Sequence, residues 1–313
     1  MTLRELAVQV VHTLFPRHFL ARRRLEDAER DLLEARIYGR LGYCNYMGRG
    51  LLWTVPEQLR HLNLAERYPA TPELAQACMH HAVIARSFGM RARFLRYAAK
   101  SLELRRALGD VCGEGQTLHF TGMAYYCGSS FERAIAYCRD AIRFFKRAGD
   151  RWEENTARFH IACNLYCLGD LGLAVEEARR NHRLCLDVRD LTLASSSLKP
   201  WSLASGGDIP EDVIGAEMAR PDQPGQTFAM LCVAQAVRLL RLGHRVEAVS
   251  VLERGYRRLG TTFRGLVLPD RTVRLRGTVT QKEGARLTVE VDVWLESDEG
   301  ERGVIGTATV ALS

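Results

Sequence analysis

The feature that most constrains this chain is an internal repeat with a period of 40 residues. The tripeptide Leu108-Gly109-Asp110 recurs as Ala148-Gly149-Asp150 and, less closely, as Val188-Arg189-Asp190. Between these marks a second glycine recurs at spacings of 41, 39, 41, 37 and 37 residues, at Gly48, Gly89, Gly128, Gly169, Gly206 and Gly243. Each period therefore holds two segments of about 15 to 18 residues joined by a glycine turn.

These segments have the periodicity of amphipathic helices. Within residues 131–147 apolar side chains recur every three or four positions, at Phe131, Ala134, Ile135, Cys138, Ala141, Ile142 and Phe145. In the preceding segment, Gly122 leaves room for the two helices to approach closely. One hairpin cannot bury its apolar stripe alone, but stacked hairpins can. The repeat therefore predicts a mainly α fold, an α-solenoid of helical hairpins.

Residues 118–142 resemble a tetratricopeptide repeat (TPR). The matching residues are Gly122, Ala124, Tyr125, Phe131, Ala134 and Ala141. The stretch GDRWEENTARFHIACNLYCLGDLGLAVEEA is similar to the TPR regions of large bacterial signalling proteins. The resemblance covers about residues 28–259. It implies a protein-protein interaction scaffold in bacterial signalling or regulation, with a concave groove that binds a partner protein or peptide.

The remaining segments complete the predicted domain layout. Residues 1–27 are a first helix with a basic and acidic lead-in, and residues 28–259 are the repeat array. Serine, glycine and proline crowd residues 195–226, which predicts a short broken repeat there. After Gly260 the apolar period changes from 3.6 to 2, notably at Leu287, Val289, Val291, Val293 and Leu295. Residues 260–313 are therefore predicted to form a small antiparallel β meander.

This tail resembles the C-terminal half of a hot-dog-fold dehydratase of the enoyl-CoA hydratase type. The resemblance covers about residues 258–313, from FRGLVLPDRTVRLRG to GTATVAL. It implies an alternative function, an acyl-thioester enzyme or its remnant that requires another chain, and a possible homodimer through the strands. The family's catalytic Asp and His lie upstream, and nothing upstream here matches their motif. No catalytic residue is therefore assigned, and the interaction scaffold is preferred to an enzyme.

Three histidines hold equivalent places in successive repeats. His80, His119 and His160 each lie nine residues before a hairpin glycine. At such positions a histidine ladder can face the groove and bind an acidic peptide or a metal, or it can simply reflect repeat ancestry. Together with Tyr126 these histidines are the candidate partner-binding residues.

A zinc site is the alternative for one stripe of the array. His160, Cys163 and Cys167 lie at i, i+3 and i+7, with Cys127 40 residues before Cys167. Dedicated zinc sites usually contain paired cysteines such as C-x2-C, which the chain lacks, and free cysteines are often buried. Core packing is therefore favoured, and no metal or cofactor is expected.

Composition excludes other classes of function. The net charge of +7 is dispersed, and Arg22-Arg23-Arg24 is followed at once by acidic residues that can pair with it, so no nucleic-acid partner is expected. The apolar runs are far shorter than the roughly 20 residues that span a bilayer, so no membrane partner is expected. Without an export signal, the expected location is the cytoplasm. Phosphate-binding, zinc-protease and serine-hydrolase motifs are missing from the sequence.

Overall fold

The structure is a computed structural model that describes residues 2–48, 51–221, 223–263, 273–283, 286–296 and 302–312. The chain forms two compact units, Met1–Thr262 and Phe263–Ser313. The helices of the first unit are α1 (Thr2–Leu14), α2 (Pro16–Phe19), α3 (Glu29–Gly48), α4 (Leu51–Ala65), α5 (Pro72–Ser87), α6 (Arg91–Ala107), α7 (Val111–Tyr126), α8 (Phe131–Ala148), α9 (Arg151–Leu168), α10 (Leu171–Asp187), α11 (Leu191–Ala204), α12 (Glu211–Met218), α13 (Gly225–Arg241) and α14 (Arg245–Phe263).

Consecutive helices pair into antiparallel hairpins, as the repeat predicts. The hairpins are α3 with α4, α5 with α6, α7 with α8, and α9 with α10. Three apolar core clusters follow one another along the array, and each contains residues of adjacent hairpins. This serial arrangement is typical of a solenoid, in which each repeat packs on its neighbours alone.

The repeated tripeptide builds the junction between hairpins. Gly109 and Gly149 have positive φ angles of 66° and 74°, and Arg189 adopts the same left-handed conformation at 57°. The aspartate that follows each of them caps the next helix, because its side chain accepts a hydrogen bond from a backbone N–H. These bonds are 2.8 Å for Asp110 to Gly113, 3.0 Å for Asp150 to Glu153 and 3.0 Å for Asp190 to Leu193. One motif thus ends a helix and begins the next.

The glycine turn at position 128 differs from the predicted pattern. Gly89, Gly169 and Gly243 have positive φ angles, but in this hairpin Ser129 takes the left-handed conformation at 56°. A Cβ atom on Gly128 would meet the guanidinium end of Arg86, a flexible side chain that can move aside. The left-handed residue of this turn therefore lies one position later than at Gly89, Gly169 and Gly243.

Close packing joins α7 and α8. A Cβ atom on Gly122 would lie 3.0 Å from Cys138 Sγ and 3.1 Å from the carbonyl oxygen of Ala134. A Cβ atom on Gly115 would lie 2.7 Å from the buried ring of Phe145. The prediction of a close approach at Gly122 is confirmed.

The prediction of a broken repeat from residue 195 is wrong over its first third. Helix α11 runs without interruption through Ser195, Ser196, Ser197 and Pro200. The hydroxyls of Ser196 and Ser197 donate to the carbonyls of Thr192 and Leu193, at 2.9 and 2.8 Å, so these serines satisfy their polar groups inside the helix. Within the described residues of this stretch, irregular structure is confined to the turns on either side of α12.

The second unit, taken by itself, has three strands. They are β1 (Val273–Glu283), β2 (Arg286–Glu296) and β3 (Arg302–Leu312), paired antiparallel in chain order. Val273 pairs with Leu295 across β1 and β2, and Leu287 pairs with Leu312 across β2 and β3. The residues that join β1 to β2 and β2 to β3 lie outside the described residues.

In the part of the chain that the structure describes, no helix combines the length and the apolar character needed to cross a membrane.

Candidate functional site

The first helices of successive hairpins form a continuous surface. Helix α5 contacts α7, α7 contacts α9, and α9 contacts α11, whereas the second helices α6, α8 and α10 share no comparable contact within the described residues. Helices on the inner side of a curved stack lie closest together, so the first helices form the inner surface. The histidines predicted from the repeat all lie on these helices.

A row of rings, here called the ring ladder, runs along this surface. Its members in order of contact are His61, His80, Phe120, His119 and His160. The centroid distances between successive rings are 5.6, 6.1, 6.0 and 5.0 Å. The ladder therefore joins helices α4, α5, α7 and α9 through side chains rather than through backbone.

A hydrogen-bonded chain holds the C-terminal end of the ladder. His160 Nδ1 lies 3.0 Å from the carbonyl oxygen of Thr156 and 3.0 Å from His119 Nε2. Because a carbonyl only accepts, the proton of His160 is assigned to Nδ1, which leaves His119 Nε2 as an acceptor. The proton of His119 then lies on Nδ1, 3.9 Å from a carboxylate oxygen of Glu153. This order orients both imidazoles.

Three of the ladder histidines, His61, His80 and His160, are neutral at physiological pH. Burial lowers the pKa of His80 to about 4, and nearby arginines add to the effect. Burial also lowers the pKa of His160 to about 3, assisted by His119, and that of His61 to about 3. Neutral imidazoles present ring faces and nitrogen atoms without a positive charge. The ladder is therefore suited to aromatic, apolar or amide groups rather than to an acidic peptide.

Tyr126 lies farther along the same surface, two turns after His119 on α7. Burial raises its pKa to about 12, with a further contribution from Cys163 and Cys167 of the next repeat. Tyr126 is half-buried, so one part of its ring packs on these thiols and another part faces solvent. Its phenol stays protonated and can donate a hydrogen bond at any physiological pH.

The predicted zinc alternative finds no geometric support in the described residues. No cluster of three or more histidine, cysteine or acidic side chains in that part of the chain is arranged to hold a metal. His160 Nδ1 is engaged with Thr156 and His119. Burial also raises the pKa of Cys163 to about 12, so forming a thiolate there is costly.

The structure refines the predicted set of binding residues. His80, His160 and Tyr126 are half-buried and can contact a partner, whereas His119 is buried and supports the surface from below. His80 and His119 do not stack on each other; Phe120 lies between them. Phe120 and His61 were not predicted because neither follows the nine-residue rule. Only the packing of neighbouring helices places them in the ladder.

No protein-family model matches the sequence, and no curated protein matches it. Solved structures do resemble it. Aspartyl phosphate phosphatase F from Bacillus subtilis has a TM-score of 0.54 and 18% identity, covering 73% of this chain and 60% of that one. The apo form of RapI has a TM-score of 0.56 and 12% identity, over 76% and 88% of the two chains.

A Rap protein complexed with competence and sporulation factor has a TM-score of 0.59 and 17% identity, over 78% of this chain and 67% of that one. At such identities the likeness shows the fold alone. The first unit is thus a TPR-like array of helical hairpins, as the sequence predicted.

Proposed function

We propose that this protein is an interaction scaffold that binds a segment of a partner protein or peptide along its inner helices. The observation that carries the proposal is the ring ladder, which crosses four successive hairpins and includes the half-buried rings of His80, Phe120 and His160. Stacked hairpins commonly bind extended or helical peptides on such a face. These ring faces support binding, and the phosphate-binding, zinc-protease and serine-hydrolase motifs are missing from the sequence.

The chemistry of the surface favours a partner segment with apolar or aromatic side chains. His80, Phe120, His160 and Tyr126 offer ring faces, and Tyr126 adds a hydroxyl. A similarly folded Rap protein was solved in complex with competence and sporulation factor, which supports a peptide or protein partner here. We also propose that the protein acts in bacterial signalling or regulation, in the cytoplasm.

Site-specific photo-crosslinking tests this function. A benzophenone amino acid replaces Tyr126 in one variant and Leu173 in a matched control, since Leu173 is exposed on the second helix α10. After irradiation in a native lysate, we expect a discrete crosslinked partner from position 126 and none from position 173. The same partner should be lost when His160→Ala is added.

The design keeps a folding defect separate from a binding defect. Tyr126 and His160 are half-buried, so these positions tolerate truncation better than the buried His119. Thermal unfolding of each variant checks the fold. Equal crosslinking from positions 126 and 173, or a partner retained with His160→Ala, would contradict binding along the inner helices.

The tail remains a separate prediction. We propose that the tail is either a segment similar to a hot-dog dehydratase or a fusion remnant, and that it forms a homodimer contact. The proposed domain layout is 1–27, 28–259 and 260–313. Enoyl-CoA hydration, followed by loss of absorbance of the conjugated thioester, tests the enzymatic alternative. We expect no turnover, because a general base upstream has not been identified.

A further inference from the structure

Helix α1 is attached to the array by its polar side. Glu5, Gln9 and His12 recur at i, i+4 and i+7 and are only 2%, 4% and 6% exposed. Asn63 Nδ2 donates to Glu5 Oε2 at 2.7 Å, and Gln9 Nε2 donates to Asn63 Oδ1 at 2.6 Å. His12 Nδ1 lies 3.0 Å from Glu66 Oε2. The docked face of α1 is therefore a network of hydrogen bonds, here called the polar seam.

The apolar side of the same helix faces away from the array. Leu3, Leu6, Val10 and Leu14 recur at helical spacing and are 84%, 44%, 55% and 65% exposed. Phe15 and Phe19, which follow directly, are also exposed. A helix packed in a water-soluble domain normally buries such a stripe, so this orientation leaves an amphipathic helix with its apolar face uncovered.

The exposed charged side chains of residues 2–25 are all basic. Between residues 2 and 25 the only acidic residue is Glu5, which is buried in the polar seam. The exposed charged or titratable side chains are Arg4, Arg17, His18, Arg22, Arg23 and Arg24. The last two arginines pair with Asp31 and Glu26, but Arg4, Arg17 and Arg22 have no ion pair within the described residues.

We propose that residues 2–25 bind the surface of a lipid bilayer containing anionic lipids. Leucine, valine and phenylalanine side chains would enter the acyl boundary, and Arg4, Arg17 and Arg22 would contact the negatively charged headgroups. An exposed apolar helical face beside basic residues is the combination that interfacial helices use. The polar seam would hold α1 on the protein in the correct orientation.

Charge favours a bilayer over a second copy of this chain. In a two-fold symmetric contact the same surface meets itself, so the unpaired arginines of one copy would approach those of the other. An anionic bilayer neutralises these charges while covering the apolar stripe. The sequence-based expectation of no membrane partner considered only spanning segments, and a helix that lies in the interface needs no such length.

Vesicle flotation with the full chain tests the proposal. The vesicles contain phosphatidylcholine alone or with about 30% phosphatidylglycerol. We expect flotation only with the anionic vesicles, and at least about tenfold weaker binding when salt rises from about 0.1 M to about 0.5 M. The double variant Leu6→Glu, Val10→Glu should also bind at least about tenfold more weakly.

A matched control isolates the segment. Leu171→Glu, Leu173→Glu places the same charges at two exposed leucines of α10, and we expect flotation to be unchanged. Both substituted sites are exposed, and thermal unfolding verifies that each variant is folded. The proposal fails if anionic vesicles do not bind the protein, or if the α1 variant floats like the control. It also fails if the protein is a dimer in vesicle-free solution and becomes a monomer in the α1 variant, because a second copy would then cover the stripe.

Discussion

Two helix interfaces in this protein have opposite chemistry. Between α7 and α8 the contact is apolar and close, with Gly115 and Gly122 opposite Phe145 and Cys138. Between α1 and α4 the contact is the polar seam, in which Asn63 connects the side chains of Glu5 and Gln9. Both interfaces are buried, so burial alone does not distinguish them.

The two interfaces lose stability in different ways when a side chain is removed. An apolar contact is non-directional and loses free energy in proportion to the atoms removed. A buried hydrogen-bond network is directional, and loss of one member leaves its partners unsatisfied. We therefore expect the α7–α8 interface to set the stability of the array, and the polar seam to set the local attachment of α1.

The largest effect is expected from Phe145→Ala. The ring is fully buried against Gly115, so its removal leaves a cavity and should lower the free energy of unfolding by about 3–5 kcal/mol. Urea-induced unfolding measures the change. Phe144→Ala, at the neighbouring half-buried position, is the control and should cost less than half as much. If both variants lost the same free energy of unfolding, the close α7–α8 contact at Phe145 would contribute no more to stability than the neighbouring position.

A smaller and more local effect is expected from Asn63→Leu in the polar seam. The leucine removes the partner of Glu5 and Gln9, at a cost of about 1–3 kcal/mol. Because repeats are coupled mainly to their neighbours, hydrogen exchange should accelerate in α1 and stay unchanged in α7 and α8. Asn45→Leu, at a half-buried site of α3, is the control. Acceleration throughout the array would contradict a local role for the seam.

Acid should weaken the polar seam and the ring ladder in different pH windows. Burial raises the pKa of Glu66, but hydrogen bonds from His12 and Gln9 and a nearby lysine lower it overall below 4.5. This stabilising contribution is present above pH 4.5 and is lost as pH falls through the lower folded value. The ladder histidines His80 and His160, with pKa values lowered from 6.5 to about 4 and 3, destabilise the folded state already as pH falls below 6.5.

Hydrogen exchange across pH 7 to 4, corrected for the intrinsic rate, separates these windows. Protection of α4, α5 and α9, which carry His61, His80 and His160, should decline first, and Glu66→Gln should flatten only the decline of α1 below pH 4.5. A single window shared by all helices would show that the regions are not independent.

The smallest effect is expected at a turn outside both interfaces. Arg189 has a left-handed φ of 57° where the equivalent positions hold Gly109 and Gly149. Arg189→Gly should therefore raise the free energy of unfolding by about 1 kcal/mol, and Gly149→Arg should lower it by a similar amount. Thermal unfolding measures both changes. If Arg189→Gly lowered the free energy of unfolding instead, the side-chain contacts of Arg189 would outweigh its backbone strain.

Sequence reasoning succeeded where the pattern repeats and the cause is local. The repeat predicted the hairpins and the close approach at Gly122, and it placed the ladder histidines on equivalent helices. It failed at α11, because serine and proline predict a break there, whereas Ser196 and Ser197 satisfy their hydroxyls within the helix. It also missed Phe120, since no rule of spacing shows which ring lies between two helices.

The sequence by itself determined the TPR-like array, because helical periodicity and the recurring glycine and aspartate act within a few residues of the chain. Only the tertiary structure decided that Phe120 lies between His80 and His119 and that burial keeps His80 and His160 neutral. It also decided that α1 docks through Glu5 and Gln9 with its apolar side outward. These outcomes depend on partners up to 84 residues away, such as Arg93 for Gln9. Local patterns carry no information about such partners, since the choice of buried face is made by the surface a helix meets.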